Sequence, residues 1–353
     1  MRLLVLAGDG IGPEITAATL TVLREAKARF GLDIEIDEEI VGHASLKLHG
    51  TTVRPELLAK ARAANGLILG PAATFDFKDP TRGEINPSAF FRKQLDLFAN
   101  IRPSRTYAGL TQKLGPFDLV IARENTEGFY ADRNMALGNA EMLVTDDVAI
   151  SLRRITRPAC ARIARAAFEL AAARKKHVTI VHKANVLKLG DGMFIEECRK
   201  CARDFPDIAV DEAIVDAMMA LLIRDPARFD VIVTTNMFGD IISDMTAEAS
   251  GSLGLGGSLN AGSDYAMAQA SHGSAPDIAG KNIANPFSLI LSLALLFSWH
   301  GRRKGLPAFA EAALTIERAI EGAIAAGEIT RDIGGRLGTK ETGEALAARI
   351  GDG

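Results

Sequence analysis

Cys160, Cys198 and Cys201 are the only cysteines in 353 residues. An odd count in a chain of this size argues against a disulfide framework and fits a reducing cytoplasm. Cys198 and Cys201 have C-x-x-C spacing in "CRKC", but without a second pair of ligands no metal or redox site is read there. Charge of one sign is lacking too. The 41 Lys and Arg against 44 Asp and Glu leave −3, which excludes a global attraction to nucleic acid or to an anionic membrane. Long apolar runs are missing. The longest, "FSLILSLALLFSW" (287–299), falls short of the roughly 20 residues that span a bilayer, so a buried helix is expected. The opening run stops at Asp9 and is too short for the core of a secretory signal. No tandem repeat is visible.

What is present is a globular composition, 48% hydrophobic and 24% charged, in a chain long enough for one large or two intertwined domains. Strands are expected at 2–7, 34–41, 66–71, 118–125, 177–185 and 229–237. Helices are expected in "EITAATLTVLREAKARFG" and in "RPACARIARAAFELAAARKK", with Pro158 near the first turn of the latter. This pattern is α/β. "SGSLGLGGSLNAGSD" (250–264) is the clearest break in composition. It reads either as a flexible connection or as a loop whose backbone approaches a ligand.

Several stretches carry chemistry. In "LLVLAGDGIGPEIT" the glycines fall at 8, 10 and 12 ahead of a helix, like the opening of a dinucleotide-binding unit, but Pro13 takes the sixth position of G-x-G-x-x-G. In "NMFGDIISDMTAE" (236–248), a helix from near Gly239 puts Asp240 and Asp244 on one face. Two like charges there destabilise a bare helix unless Asp240 partly caps it or a cation lies between them. Oxygen-only side chains suit Mg²⁺ or Mn²⁺, and the strand "FDVIVTT" delivers both where open α/β sheets bind ligands; a cap plus a solvated face is the alternative. Arg92, Arg102 and Arg123 lie near strand ends and turns. Together they suit a small polyacid, although each alone reads as a surface or salt-bridge residue. Lys183 follows the strand "VTIV" and is a candidate proton-transfer group, whereas His182 reads as structural. Tyr130 either donates a phenolic proton or packs. The loop "SHGSAPDIAGKNIANP" (271–286) offers His272, Ser274 and Asp277 to a nucleotide, or is merely a loop.

"GDGIGPEI", "FFRKQLDLFANIRP", "RENTEGFY", "HKANVL", "VDAMMALL", "NMFGDIISD" and "HGSAPDIAGKNIANP" follow one another over nearly the whole chain. In that order they resemble the isocitrate and isopropylmalate dehydrogenases, the β-decarboxylating 2-hydroxyacid dehydrogenases. The resemblance implies a two-domain α/β fold with a large mixed sheet, not a classical Rossmann fold. Residues 1–98 and 251–353 would form a cofactor-binding first domain. Residues 99–250 would form a middle domain with the dimer interface and the metal and substrate site. It further implies a homodimer with shared active sites, Lys183 and Asp216 coming from one subunit and Asp240 and Asp244 from the other. Ser88, Arg92, Arg102 and Arg123 would bind a di- or tricarboxylate. Asp216, Asp240 and Asp244 would hold Mg²⁺ or Mn²⁺. Lys183 would take the hydroxyl proton as hydride leaves for NAD, and Tyr130 would protonate the enolate left by CO₂. Ile11, His272, Gly273, Ser274, Ala275, Asp277 and Asn285 would line the cofactor pocket, with the glycine loop as one wall. Asp277 would face the ribose, and a carboxylate there favours the 2′-hydroxyl of NAD over the 2′-phosphate of NADP.

The substituent on the substrate is less sharply marked. Isopropylmalate enzymes carry apolar side chains four and three residues before the first clamp arginine, where this chain has Ser88 and Ala89. Isocitrate enzymes carry serine six before and asparagine four before it; here Asn86 and Ser88 are the same groups exchanged. "RENTEG" also looks more like the isocitrate and homoisocitrate enzymes. A polar or carboxylated substituent is therefore favoured, with 3-isopropylmalate next and tartrate or D-malate behind. A non-catalytic regulatory subunit of the same fold is the rival class. Its expected losses are absent, since Tyr130, Lys183, the three aspartates and the three arginines are all in place.

Overall fold

The computed structural model describes residues 1–130 and 140–352. The chain runs through β1 (Arg2–Leu6), α1 (Gly12–Phe30), β2 (Glu35–Glu39), α2 (Gly42–His49), α3 (Glu56–Ala63), β3 (Gly66–Leu69) and α4 (Pro87–Gln94). It continues with β4 (Ala99–Arg105), β5 (Asp118–Glu124), β6 (Glu141–Thr145), β7 (Val148–Ser151), α5 (Arg157–Ala172), β8 (His177–His182) and α6 (Lys188–Ala202). Then come β9 (Ala209–Ile214), α7 (Val215–Arg224), β10 (Val231–Thr234) and α8 (Asn236–Ala249). The last elements are β11 (Leu259–Ala261), β12 (Ala266–Gln269), α9 (Phe287–Lys304), α10 (Pro307–Ala326) and α11 (Thr339–Asp352). Two compact units result: Met1–Leu95 with Tyr107–Gln112 and Gly251–Gly353, and Asp96–Thr106 with Lys113–Ser250.

In the first unit the strand order is β2-β1-β3-β12-β11, parallel except for β11 against β12. Pro13 opens α1 and Gly31 closes it in the left-handed conformation. Leu3, Val5 and Ile68 of the strands pack with Ile15 and Leu23 of α1, Leu289 and Phe297 of α9, and Ile316 and Ile320 of α10. The apolar run at 287–299 is thus a buried helix, as its length requires. The Gly/Ser-rich stretch is not a flexible connection: it holds a 3₁₀ turn and the buried strand β11. Its small residues let backbone approach α9, since a Cβ on Gly257 would lie 3.0 Å from Leu291 Cβ.

His300, on α9, is buried at 4% exposure against Phe309. Burial pushes its imidazole down to about 4. The unfolded chain therefore takes up this proton first, and stability is expected to fall as pH drops from 6.5 to about 4, by at most about 3 kcal/mol. Thermal denaturation of wild type and His300→Leu across this window checks it. The wild-type Tm should fall more steeply with acid than that of the variant.

In the second unit the order is β4-β5-β10-β8-β9, with β4 antiparallel to β5 and the rest parallel. The two-residue period of the strands serves two cores. Val120, Ile180, Val231 and Val233 meet Ile163 and Phe168 of α5 and Phe194 and Cys198 of α6. Leu119, Ile121, Val181 and Ile232 meet Met218 and Leu222 of α7 and Phe238 and Ile242 of α8. Both halves are therefore mixed α/β sheet, five strands each. All three cysteines are buried free thiols, and burial raises Cys160 to about 12, which makes it inert. The hairpin β6–β7 differs from everything else: every residue in its strands is exposed, including Met142, Leu143, Val144, Val148 and Ile150. Among the described residues no helix is long and apolar enough to cross a membrane.

Candidate active site

β10 delivers the chain to α8, which starts at Asn236, earlier than the expected start near Gly239. The reason lies in Arg123, at the end of β5 and only 2% exposed. Asn236 Oδ1 accepts from Arg123 Nε at 3.0 Å and Nη2 at 2.7 Å, while Asn236 Nδ2 donates to the Glu127 carbonyl at 2.9 Å. A Cβ on Gly239 would sit 2.6 Å from Arg123 Cγ. The glycine therefore makes room for the arginine and does not mark a helix start.

Asp240 and Asp244 do share a face of α8, and a cation does lie between them. It is Arg102 of β4, whose Nη1 reaches Asp240 Oδ1 at 3.3 Å, Asp244 Oδ1 at 3.0 Å and Ser243 Oγ at 2.7 Å. Arg123 Nη1 also donates to Asp240 Oδ1. Tyr130 donates its hydroxyl to Asp240 Oδ2 at 3.4 Å, and the Arg123 guanidinium lies 5.9 Å from its ring centroid. Buried guanidiniums are tolerated because carboxylates and amide oxygens answer them. Burial raises the Asp244 carboxyl above the ordinary range, with Asp240 adding repulsion and Arg102 opposing it. A carboxylate so penalised gains from a hard cation, and the oxygen-only donor pair fits Mg²⁺ or Mn²⁺.

Two further carboxylates, neither singled out by the sequence reading, shape the approach to this cluster. Glu124, buried and raised by burial, accepts from Thr126 N, Thr126 Oγ1 and Glu127 N at 2.6–2.8 Å. Glu127 accepts from Thr156 N at 2.7 Å and Oγ1 at 2.6 Å. They fix the turn between Arg123 and Tyr130.

Lys183 follows β8 and donates to Asp216 Oδ1, in the first turn of α7, at 2.6 Å. That bond holds the Asp216 carboxyl below the usual range. The Lys183 backbone N–H is pinned by buried Asp191 Oδ2 at 2.6 Å, and Asp191 Oδ1 takes Arg153 Nη2 at 2.5 Å. His182 is structural: its Nδ1 accepts from Ala184 N at 3.1 Å, and burial lowers its imidazole. Asp216 does not join Asp240 and Asp244 within one chain. Among the described residues no three His, Cys, Asp or Glu side chains gather into a metal-binding group.

The first unit holds two other groups of the expected residues. Ile11, His272, Gly273, Ala275 and Asn285 line a pocket of about 240 Å³ together with Gly254, Ile278, Ile283, Ala284 and Asp332. Ser274 and Asp277 are not in its wall. The Ser274 carbonyl accepts the Ile11 N–H at 2.9 Å, and Asp277 is exposed. The glycine loop contributes by close approach: Gly10 has φ +58°, and a Cβ there would lie 1.9 Å from the Ser274 oxygen. Asp9 is spent on His43 N at 2.7 Å and Ala73 N at 3.0 Å. His272 Nε2 is buried without a hydrogen-bond partner, a polar atom that a nucleotide base would satisfy; the pocket thus fits such a ligand. Gly254 shows why the Gly/Ser-rich stretch mattered, whereas Asp332 carried no local signal. Separately, Ser88 and Arg92 on α4 both donate to Gln269 Oε1, at 3.1 and 3.0 Å.

The family model for isocitrate/isopropylmalate dehydrogenase matches residues 2–346. The chain belongs to this isocitrate/isopropylmalate dehydrogenase family. It is 39% identical to the 3-isopropylmalate/3-methylmalate dehydrogenase of Methanocaldococcus jannaschii, over 99% of this chain and 98% of that one. It is also 39% identical to the isocitrate/homoisocitrate dehydrogenase of Thermus thermophilus, over 99% and 98%. The crystal structure of isocitrate dehydrogenase from Methylococcus capsulatus superposes with a TM-score of 0.87 at 37% identity, covering 99% of each chain. As a member of the isocitrate/isopropylmalate dehydrogenase family, the chain is a decarboxylating oxidoreductase. The family acts on small carboxylates with a nicotinamide cofactor and a divalent metal.

Proposed function

We propose that this enzyme catalyses the NAD- and divalent-metal-dependent oxidative decarboxylation of a 3-substituted D-malate to a 2-keto acid, CO₂ and NADH. The observation that carries the reading is the buried pair Arg102 and Arg123 converging on Asp240 and Asp244 with Tyr130 alongside. Asp240 and Asp244, with Asp216 of a second subunit, would hold the metal. When bound, the metal polarises the C2 oxygen and the nicotinamide accepts the C2 hydride. Arg92, Arg102 and Arg123 bind and orient the carboxylates. Lys183, positioned by Asp216, takes the C2 hydroxyl proton as the neutral amine, its ammonium proton having first passed to solvent. Tyr130 returns a proton to C3 once the β-carboxylate has left. Assay of isocitrate, homoisocitrate, 3-isopropylmalate, D-malate and tartrate with NAD and Mn²⁺ tests the reading; no NADH from any of them would contradict it. The relatives named for isopropylmalate and for isocitrate or homoisocitrate support both substituents equally.

The unit with Ile11 and His272 is the proposed cofactor domain, and the unit with Asp240 the proposed metal and dimer domain. Asp277 is proposed to face the ribose. NADP should therefore be used poorly, and Asp277→Asn should raise kcat/KM for NADP by roughly tenfold. An unchanged cofactor ratio in steady-state assays would count against Asp277.

A homodimer is proposed on the apolar strands β6 and β7, whose residues are all exposed, Leu143 at 69%. The double variant Leu143→Asp, Ile150→Asp should sediment as a monomer and lose activity, because Asp216 would no longer meet Asp240. A dimeric, active variant would contradict this interface.

A further inference from the structure

We propose that Gln269 is a positioning residue of this reaction: its amide oxygen aims Arg92 and commits the proton of Ser88, without bringing a negative charge. The proposal rests on the reading above that Ser88 and Arg92 meet the substrate. Ser88 and Arg92 stand four apart on α4, on one face, and each is 7% exposed. Both donate to Gln269 Oε1, and Asn260 Nδ2 on β11 joins them at 3.3 Å. The amide cannot be reversed, because Arg92 has only donors and demands an oxygen opposite. Gln269 is itself anchored at the end of β12. Its N–H donates to the Ser258 carbonyl at 3.1 Å, and its carbonyl accepts Ser292 Oγ at 3.0 Å.

Two consequences follow for substrate recognition. A carboxylate in this position would orient Arg92 equally well but would compete with the substrate's carboxylate for its charge; the neutral amide orients without competing. Ser88 spends its single proton on Gln269, so toward a ligand it offers lone pairs. Asn86 Oδ1 is likewise engaged, capping α4 at Ala89 N, 3.1 Å away. The Ser88 surface then favours an apolar or hydroxyl-bearing substituent and leaves a substituent carboxylate without that donor.

The test compares wild type, Gln269→Glu and Gln269→Leu with Mn²⁺ and NAD. It uses calorimetric titration of D-malate and kinetics with 3-isopropylmalate and isocitrate across pH. In Gln269→Glu, malate Kd and substrate KM should rise about tenfold or more at alkaline pH, with kcat and the KM for NAD nearly unchanged. That penalty should shrink as the new carboxylate is protonated in acid. In Gln269→Leu, KM should rise without the pH term, and kcat/KM for isocitrate relative to isopropylmalate should increase about fivefold as Ser88 regains its proton. An active wild type whose folded variants keep its Kd, KM and substrate ratio overturns the role of Gln269 alone. A wild type that binds no malate and turns over neither substrate overturns the functional reading, and this role with it.

Discussion

Lys183→Ala should lower kcat by about a thousandfold while Mn²⁺ affinity stays within a few-fold of wild type, since a positioned general base contributes about 10²–10⁴. The side chain is 26% exposed and, among the described residues, its ion pair is with Asp216, itself 69% exposed, so the substitution removes little packing. The backbone N–H of residue 183 remains available to buried Asp191, so the turn should keep its shape. Arg102, Arg123, Asp240 and Asp244 are bonded to one another and not to Lys183. The loss should therefore appear in kcat and not in metal binding. Steady-state kinetics with a parallel Mn²⁺ titration separate the two. Near-normal turnover would remove Lys183 from the proton-transfer role.

Asp240→Asn should weaken both. Asp240 gathers Arg102, Arg123 and Tyr130 on its two oxygens, and an amide there loses the charge and presents donors to two donor-only guanidiniums. Mn²⁺ affinity and kcat/KM should each fall by about a hundredfold. Breaking a fully buried pair costs about 3–5 kcal/mol. Because Asp240 is 35% exposed, the stability loss should be nearer about 1–2 kcal/mol. Asp244 keeps its bond to Arg102 at 3.0 Å and sits 48% exposed, so Asp244→Asn should be the milder lesion. Calorimetric Mn²⁺ titration and thermal melts of the two variants decide between a metal-binding role and a purely structural one. Unaltered Mn²⁺ affinity in Asp240→Asn would contradict the metal assignment.

Local pattern was enough for much of the fold. Strands such as 118–124 and 231–234 are buried on both sides and read as apolar runs, and α5 shows its Pro158 and its 3.6-residue spacing. β4 carries no strand signal of its own, because Pro103 and the four polar or charged residues Asn100, Arg102, Ser104 and Arg105 disguise it. Gly239 and Asp240 look like a helix boundary, so local pattern places the start of α8 too late; Gly239 is small to admit an arginine from another strand. Residue types near the site were legible; their partners were not. Asn236 meets Arg123 across 113 positions and Gln269 meets Ser88 across 181, and no window of sequence carries that information. Asp332 enters the pocket wall for the same reason, brought there by tertiary packing beyond α10.

The most direct test of the central claim measures NADH and CO₂ together from one reaction, with NAD, Mn²⁺ and each substituted malate, before and after chelation. Equimolar NADH and CO₂, abolished by EDTA and restored by Mn²⁺, is the predicted result. NADH without CO₂, or turnover undiminished by the chelator, would contradict a metal-assisted oxidative decarboxylation built on Asp240, Asp244 and Lys183.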